Sequence, residues 1–383
     1  MRMAVPKPLT TDSPVKLIFV GGFLGSGKTT ALAVLARDLI RQGKRVGIIT
    51  NDQSQNLADT VIVRQLLSEL GVPVEEVVAG CFCCKFDELI DQMEKILKHK
   101  PDILMGEPVG SCTDFVAAVA NPIKIHYREA FRFAPFSTMV DPDRVVEFLL
   151  AERDSNFPEE VAYLFHKQLE EADMIVLNKV DQLGEDEKRR LVEVLEKTFP
   201  QKEIKAVSAK YGGGMHDWLK ILLSDRPGAE TVLRQIDYDQ YARAEAVLGW
   251  LNAAISISRE RPFDIGEWMV GLTVGLRDAF RDKNAEIGHL KMVVTSSGKS
   301  MWVNLTRLSA EPLLSDAHLG NITGGSLIVN ARVQLAPEPL ESIIRQVIEE
   351  KLTTAGMDGE ILDLQCFSPA YPDPPYLVRE NDV

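Results

Sequence analysis

The stretch Gly22-Phe23-Leu24-Gly25-Ser26-Gly27-Lys28-Thr29 sets one glycine, then four residues, then Gly-Lys-Thr. An apolar run at 16–20 precedes it, and residues 29–42 repeat apolar positions at helical spacing before stopping at Gly43. Strand, glycine loop and helix in that order form the context in which this spacing cradles phosphate. Glycines at 22, 25 and 27 let the backbone curl without side-chain clash. Successive N–H groups and the positive helix end then converge on a β-phosphate. Lys28 is expected to neutralise the β- and γ-phosphates and Thr29 to offer its hydroxyl to Mg²⁺, with Ser26 and Thr30 completing the segment. A turn that merely joined strand to helix would have no need of a lysine behind three glycines.

Around this loop the chain alternates short β-rich runs with amphipathic stretches as far as about residue 223. Strands are expected at 16–20, 45–50, 102–106, 136–140, 174–177 and 204–207, and helices at 29–42, 86–98 and 185–198. Most of these strand runs are almost continuously apolar, as strands covered on both faces should be. The expected fold class is therefore α/β, a mostly parallel sheet with helices on both faces in a P-loop NTPase domain. Asp-Arg-Pro-Gly-Ala at 225–229 breaks the rhythm. The first domain is placed at 1–226, a smaller α+β domain at 236–370 and a loosely ordered tail at 371–383. In the second domain, strands are expected at 241–258, 287–295, 300–305 and 326–333, and helices at 264–281 and 337–352.

The bulk numbers agree with two domains, because 383 residues exceed what one core usually serves. A formal charge of −13 excludes a protein built to neutralise nucleic-acid phosphates. No run approaches the ~20 apolar residues of a membrane span, so neither nucleic acid nor a membrane is an expected partner. Five cysteines, three of them within four positions, suit a reducing compartment better than a disulfide framework. The expected location is the cytoplasm.

Asn178-Lys179-Val180-Asp181 follows the run at 174–177, and Ser208-Ala209-Lys210 follows that at 204–207. Both stand at strand ends, where open α/β sheets bind ligands. An ionised Asp181 only accepts, so it can take the N1–H and the exocyclic amine of guanine, whereas adenine offers no matching pair of donors. Asn178, Lys179, Ser208, Ala209 and Lys210 complete the expected base pocket for GTP or GDP. Glu107-Pro108-Val109-Gly110 follows the strand at 102–106, placing a carboxylate and the Gly110 amide where a γ-phosphate and its Mg²⁺ can be sensed. Asn51-Asp52 ends the second strand and offers either a Mg²⁺ or water-orienting carboxylate or a simple cap. Lys28, Asp52 and Glu107 are thus the catalytic candidates, and Thr29, Asp52 and Glu107 the Mg²⁺ candidates.

Gly80-Cys81-Phe82-Cys83-Cys84 is the unusual feature. Three soft thiol ligands in one short segment suit Zn²⁺, Co²⁺ or Cu(I), with the fourth position left for water, Cys112, another subunit or a client. Buried cysteines acting as small hydrophobes, or a redox pair, are the alternatives. The six histidines show no ligand spacing, and only His289 and Cys366 are kept as distal candidates.

These residues resemble the CobW-like GTPases, relatives of the nickel-handling urease and hydrogenase accessory GTPases. The likeness is carried by residues 21–30, by Cys-Phe-Cys-Cys at 81–84, by Glu-Pro-Val-Gly at 107–110 and by Asn-Lys-Val-Asp at 178–181. It implies a slow GTPase acting as a GTP-dependent metallochaperone for a client metalloprotein, usually dimerising across the nucleotide face. The chain departs from the family pattern at residues 51–55, Asn-Asp-Gln-Ser-Gln, and at 108–112, and it has no His-rich linker. Two other functions fit the same residues. One is a GTP-dependent assembly or activation factor for a corrinoid or other metalloenzyme, and the other is a redox-sensing nucleotide switch.

Overall fold

In β1 (Val15–Gly22) every residue from Leu17 onward is buried, which leaves this strand only a central place in a sheet covered on both sides. The computed structural model describes residues 8–52, 58–152 and 155–379. Beside β1 run β2 (Val46–Asn51), β3 (Val74–Val77), β4 (Ile103–Gly106), β5 (Phe131–Phe133), β6 (Ser137–Val140), β7 (Met174–Leu177) and β8 (Glu203–Ala206). The sheet order is β3-β2-β4-β1-β6-β7-β8, all parallel, with β5 pairing the first part of β1 and β6 its last part. One face is closed by aromatic rings, Phe115 tilted against Phe19 and stacked on Phe136 at centroid spacings of 4.9 and 4.8 Å. The other is closed by Leu32, Leu35 and Leu39 of the helix Lys28–Arg41 and by Trp218. The chain crosses from one side of the sheet to the other at β1, so a crevice opens at the carboxyl ends of the strands.

The second domain is antiparallel. It contains β9 (Gly249–Asp264), β10 (Ile287–Ser296), β11 (Lys299–Leu305), β12 (Leu313–Leu314), β13 (Asn321–Val333) and β14 (Asp358–Phe367), ordered β12-β11-β10-β13-β9-β14. Alternation divides its residues cleanly. Leu290, Met292 and Val294 of β10 and Leu327, Val329 and Ala331 of β13 join the core under the helices Ile265–Arg281 and Pro337–Ala355. The intervening residues face the first domain, where Val293, Trp302 and Ile328 meet Ile62 of the helix Ala58–Leu66. No helix among the described residues is long and apolar enough to cross a membrane.

Two expectations are corrected. The strand expected at 241–258 is a helix, Tyr238–Ala246, followed by β9 from Gly249. Asp237 caps that helix by accepting from the Asp239 and Gln240 amides at 2.9 and 3.0 Å, and the alanines and Glu245 behind it favour helix. The segment 371–379, expected to be loose, is tied to the first domain. Arg379 forks onto Asp114 at 2.6 and 2.7 Å, the Val378 amide donates to Ala117, and the Tyr376 ring lies 4.8 Å from Phe86.

Candidate functional site

Gly22, Gly25 and Gly27 all have positive φ, and all three also lack room for a side chain. A Cβ on Gly22 would stand 2.2 Å from the Met139 carbonyl oxygen, and one on Gly27 would stand 2.4 Å from Asn178 Nδ2. The loop so formed ends in the helix Lys28–Arg41. Lys28 curls back to donate to the Gly22 and Phe23 carbonyls at 2.7 and 3.3 Å, and burial lowers its pKa. Thr29 Oγ1 bonds to Asp59 Oδ1 at 2.7 Å and to Glu107 Oε1 at 3.1 Å. Burial, with Asp59 nearby, pushes the Glu107 carboxyl up to about 7, and its Oε2 is buried without a partner. Burial acts on Asp59 in the same direction, but the Lys291 ammonium and the Thr29 hydroxyl outweigh it and hold its pKa below the usual range. One hydroxyl and two carboxylates on one spot, one of them with an orphaned oxygen, form a donor set suited to a hard divalent cation.

The turns at 178–181 and 208–210 come to the same crevice. Asn178 Nδ2 donates to the Ser26 carbonyl at 2.8 Å while its Oδ1 accepts from the Ala209 amide at 2.9 Å, so one side chain joins the phosphate loop to the Ser208-Ala209-Lys210 turn. Ser208 Oγ donates to Asp181 Oδ1 at 2.5 Å, fixing that carboxylate. Lys179, in the left-handed region, pairs with buried Asp141 at the end of β6. Gly110 packs against Leu24 of the phosphate loop, and its carbonyl accepts from Gln168 at 2.9 Å. A cavity of about 580 Å³ runs from Thr29 and Thr30 to Asp181 and Lys210.

The second domain forms one wall of this cavity. Thr306 lies where a Cβ on Gly25 would stand, at 2.6 Å. Arg332 Nη2 reaches both oxygens of Asp52 at 2.7 and 2.9 Å, with its guanidinium 4.1 Å over the Trp250 ring. Asp52 is thereby held in a buried ion pair between domains. The residues at 53–55 named with it lie outside those described. His289 does line the cavity, held neutral by burial and by the charges of Lys291 and Arg332. Cys366 lies elsewhere and donates to the Pro337 carbonyl. Asp59, Lys291 and Arg332 were missed by the sequence reading. Period-two alternation in residues 287–295 was the signal available for Lys291, but nothing in it names the facing surface.

Cys81, Cys83 and Cys84 converge because the Cys84 and Lys85 amides both donate to the Cys81 carbonyl, making a tight turn. Their sulfurs lie within 4.8 Å of one another, with Cys83 and Cys84 3.7 Å apart. Tetrahedral zinc with sulfur at ~2.3 Å needs sulfurs ~3.8 Å apart, so the donor set fits. Hydrogen bonds from Cys81 and Cys83 hold the Cys84 thiol down at about 3. The Cys83 thiol beside it lowers the Cys112 pKa, but burial together with the charges of Cys81, Glu171 and Glu245 pushes it up to about 11. Asn51 clamps the turn, donating to the Val77 and Gly80 carbonyls and accepting from the Phe82 amide at 2.9 Å.

Residues 16–206 match the family model described as CobW/HypB/UreG, nucleotide-binding domain. A zinc chaperone CobW of a Sinorhizobium species is 30% identical over 188 residues, covering 42% of this chain and 50% of that protein. The zinc chaperone CobW of Pseudomonas aeruginosa is 27% identical over 233 residues, 54% of this chain and 59% of that one. The chain thus spans about half the length of the curated relatives it matches. The zinc-bound YjiA GTPase of E. coli shares 16% identity over 87% of this chain and 99% of that one, with a TM-score of 0.36, too low to carry weight. By the family match, residues 16–206, about half of the chain, belong to the CobW/HypB/UreG nucleotide-binding family.

Proposed function

We propose that this protein binds and slowly hydrolyses GTP, and that its nucleotide state gates a metal, zinc in the first place, held by Cys81, Cys83 and Cys84 for delivery to a client metalloprotein. Gly22, Gly25, Ser26, Gly27 and Thr30 form the phosphate cradle, Lys28 neutralises the β- and γ-phosphates, and Asn178, Lys179, Asp181, Ser208, Ala209 and Lys210 hold guanine. Thr29, Glu107 and Asp59 hold Mg²⁺, which when bound offsets charge on the triphosphate. Hydrolysis transfers the γ-phosphoryl group to water, leaving GDP and inorganic phosphate.

One observation carries the coupling. Glu107, bonded to Thr29 at the phosphate end, and Cys112, whose buried thiol interacts with that of Cys83, are the two ends of one six-residue turn. Gln168 braces that turn by donating to the Gly110 and Cys112 carbonyls at 2.9 and 3.1 Å. A shift of Glu107 towards a γ-phosphate is therefore passed on to the thiol cluster along a short, hydrogen-bonded path. Zinc titration of the full chain with GDP and with a non-hydrolysable GTP analogue tests this, alongside a variant with Cys81, Cys83 and Cys84 changed to serine. The proposal expects the variant to lose tight binding and the two nucleotides to give different affinities in the wild type. If the wild type binds no zinc in either state, the gated-metal reading falls.

A further inference from the structure

The phosphate end of the cavity carries a cation that the first domain does not supply. β10 pairs β11 and β13 in a register that sets Lys291 opposite Asn304 and Asn330, and His289 opposite Arg332. All five belong to the sheet face turned to the first domain, since their neighbours Leu290, Met292, Val329 and Ala331 fill the second domain's own core. The Lys291 ammonium meets Asp59 Oδ1, the same oxygen that accepts from Thr29 Oγ1. The other second-domain cations at this wall are turned elsewhere, Arg332 to Asp52 and Arg307 to Asp143. Lys291 and Lys28 are the cations gathered at the Thr29–Glu107 end.

We infer that Lys291 is a triphosphate-binding residue supplied in cis by the second domain, contacting the γ-phosphate of GTP and neutralising charge as that group is transferred. Without nucleotide its ammonium serves as the counterion of Asp59. When Thr29 and Asp59 turn to a bound divalent cation, the flexible lysine stem carries the ammonium the short way to the γ-phosphate. Such a charge lies in a partly desolvated cavity, where charge-assisted hydrogen bonds are strongest. It also makes the second domain a sensor of GTP against GDP, because GDP offers Lys291 no γ-phosphate. The inference rests on the GTPase reading proposed above.

The test measures equilibrium binding of GDP and of a non-hydrolysable GTP analogue, and GTP turnover, for the full-length wild type and Lys291→Met, Lys291→Gln and Lys291→Arg. Gln keeps an amide donor for Asp59, so it holds the domain contact while removing the charge. We expect Met and Gln to weaken the analogue roughly 10- to 100-fold, to leave GDP within about threefold and to slow turnover at saturating GTP, with Arg recovering most of the loss. Equal weakening of GDP and the analogue in the Gln variant would assign Lys291 to domain packing alone and overturn the inference. Wild-type binding and turnover in that variant would overturn it too. A wild-type chain that binds neither nucleotide refutes the GTPase reading itself.

Discussion

Arg332→Met is the perturbation whose cost follows most directly from this structure. Arg332 is 0% and Asp52 7% exposed, and one guanidinium nitrogen holds both carboxylate oxygens. The other terminal nitrogen donates to Asn252 Oδ1 at 2.6 Å and to the Leu251 carbonyl at 3.2 Å. Methionine fills much of the stem's space over Trp250 but takes the guanidinium away from the buried Asp52 carboxylate. Breaking one partner of a buried pair costs about 3–5 kcal/mol, whereas removing both is far cheaper because no charge is stranded. We therefore expect Arg332→Met to lower the thermal midpoint by roughly 5–15 °C. The double variant Asp52→Asn, Arg332→Met should recover at least half of that loss. Calorimetric melting of the four proteins of the cycle gives the coupling. A single variant within about 1 kcal/mol of wild type, or a double variant equal to the sum of the singles, refutes the claim that this pair holds the domains together.

The remaining predictions concern separate parts of the molecule. Glu171 is buried, and burial with Asp114 beside it holds its carboxyl up at about 8 against an ordinary 4.5. The native state thus keeps a proton that the unfolded chain gives up. The stability contributed by this group is full below pH 4.5 and declines as pH rises towards 8. Glu171→Gln, which keeps an acceptor for the Val116 amide, should flatten the pH dependence of the urea midpoint across that window, and an unchanged slope counts against the account. Asp181→Ala should weaken GDP roughly 10²-fold through two lost charge-assisted bonds while leaving the poor affinity for ADP unchanged, as read by competition binding. Gly22→Ala should abolish nucleotide binding or soluble expression, because φ is +132° and the new Cβ meets a backbone carbonyl at 2.2 Å. A soluble variant with wild-type affinity disproves it.

The phosphate loop, the turns at 178–181 and 208–210 and the cysteine cluster were legible in the sequence because each is a short segment at a strand end or in a tight turn. Gly22 to Thr29 needs only glycine's freedom at fixed offsets, and Cys81 to Cys84 needs only a tight turn to bring three sulfurs together. Six of the eight described first-domain strands were legible for a related reason, since burial on both faces writes a nearly unbroken apolar run in most of them, whereas β3, Val-Glu-Glu-Val, and the three-residue β5 carry no such run and were not expected. The helix Tyr238–Ala246 was misread because Val247 to Ile257 carry a strong strand signal that hid the Asp237 cap. What the tertiary structure alone decided is which distant groups meet. Asp52 and Arg332 are 280 residues apart, and Asp59 and Lys291 are 232 apart. Alternation in β10 and β13 says that Lys291 and Arg332 share a face, but a face has no address until another surface packs against it. The identity of that surface, here the carboxyl ends of the first domain's strands, is set by the packing of Ile62 and Val293, with partly buried Trp302, between the domains. No short-range pattern encodes that contact.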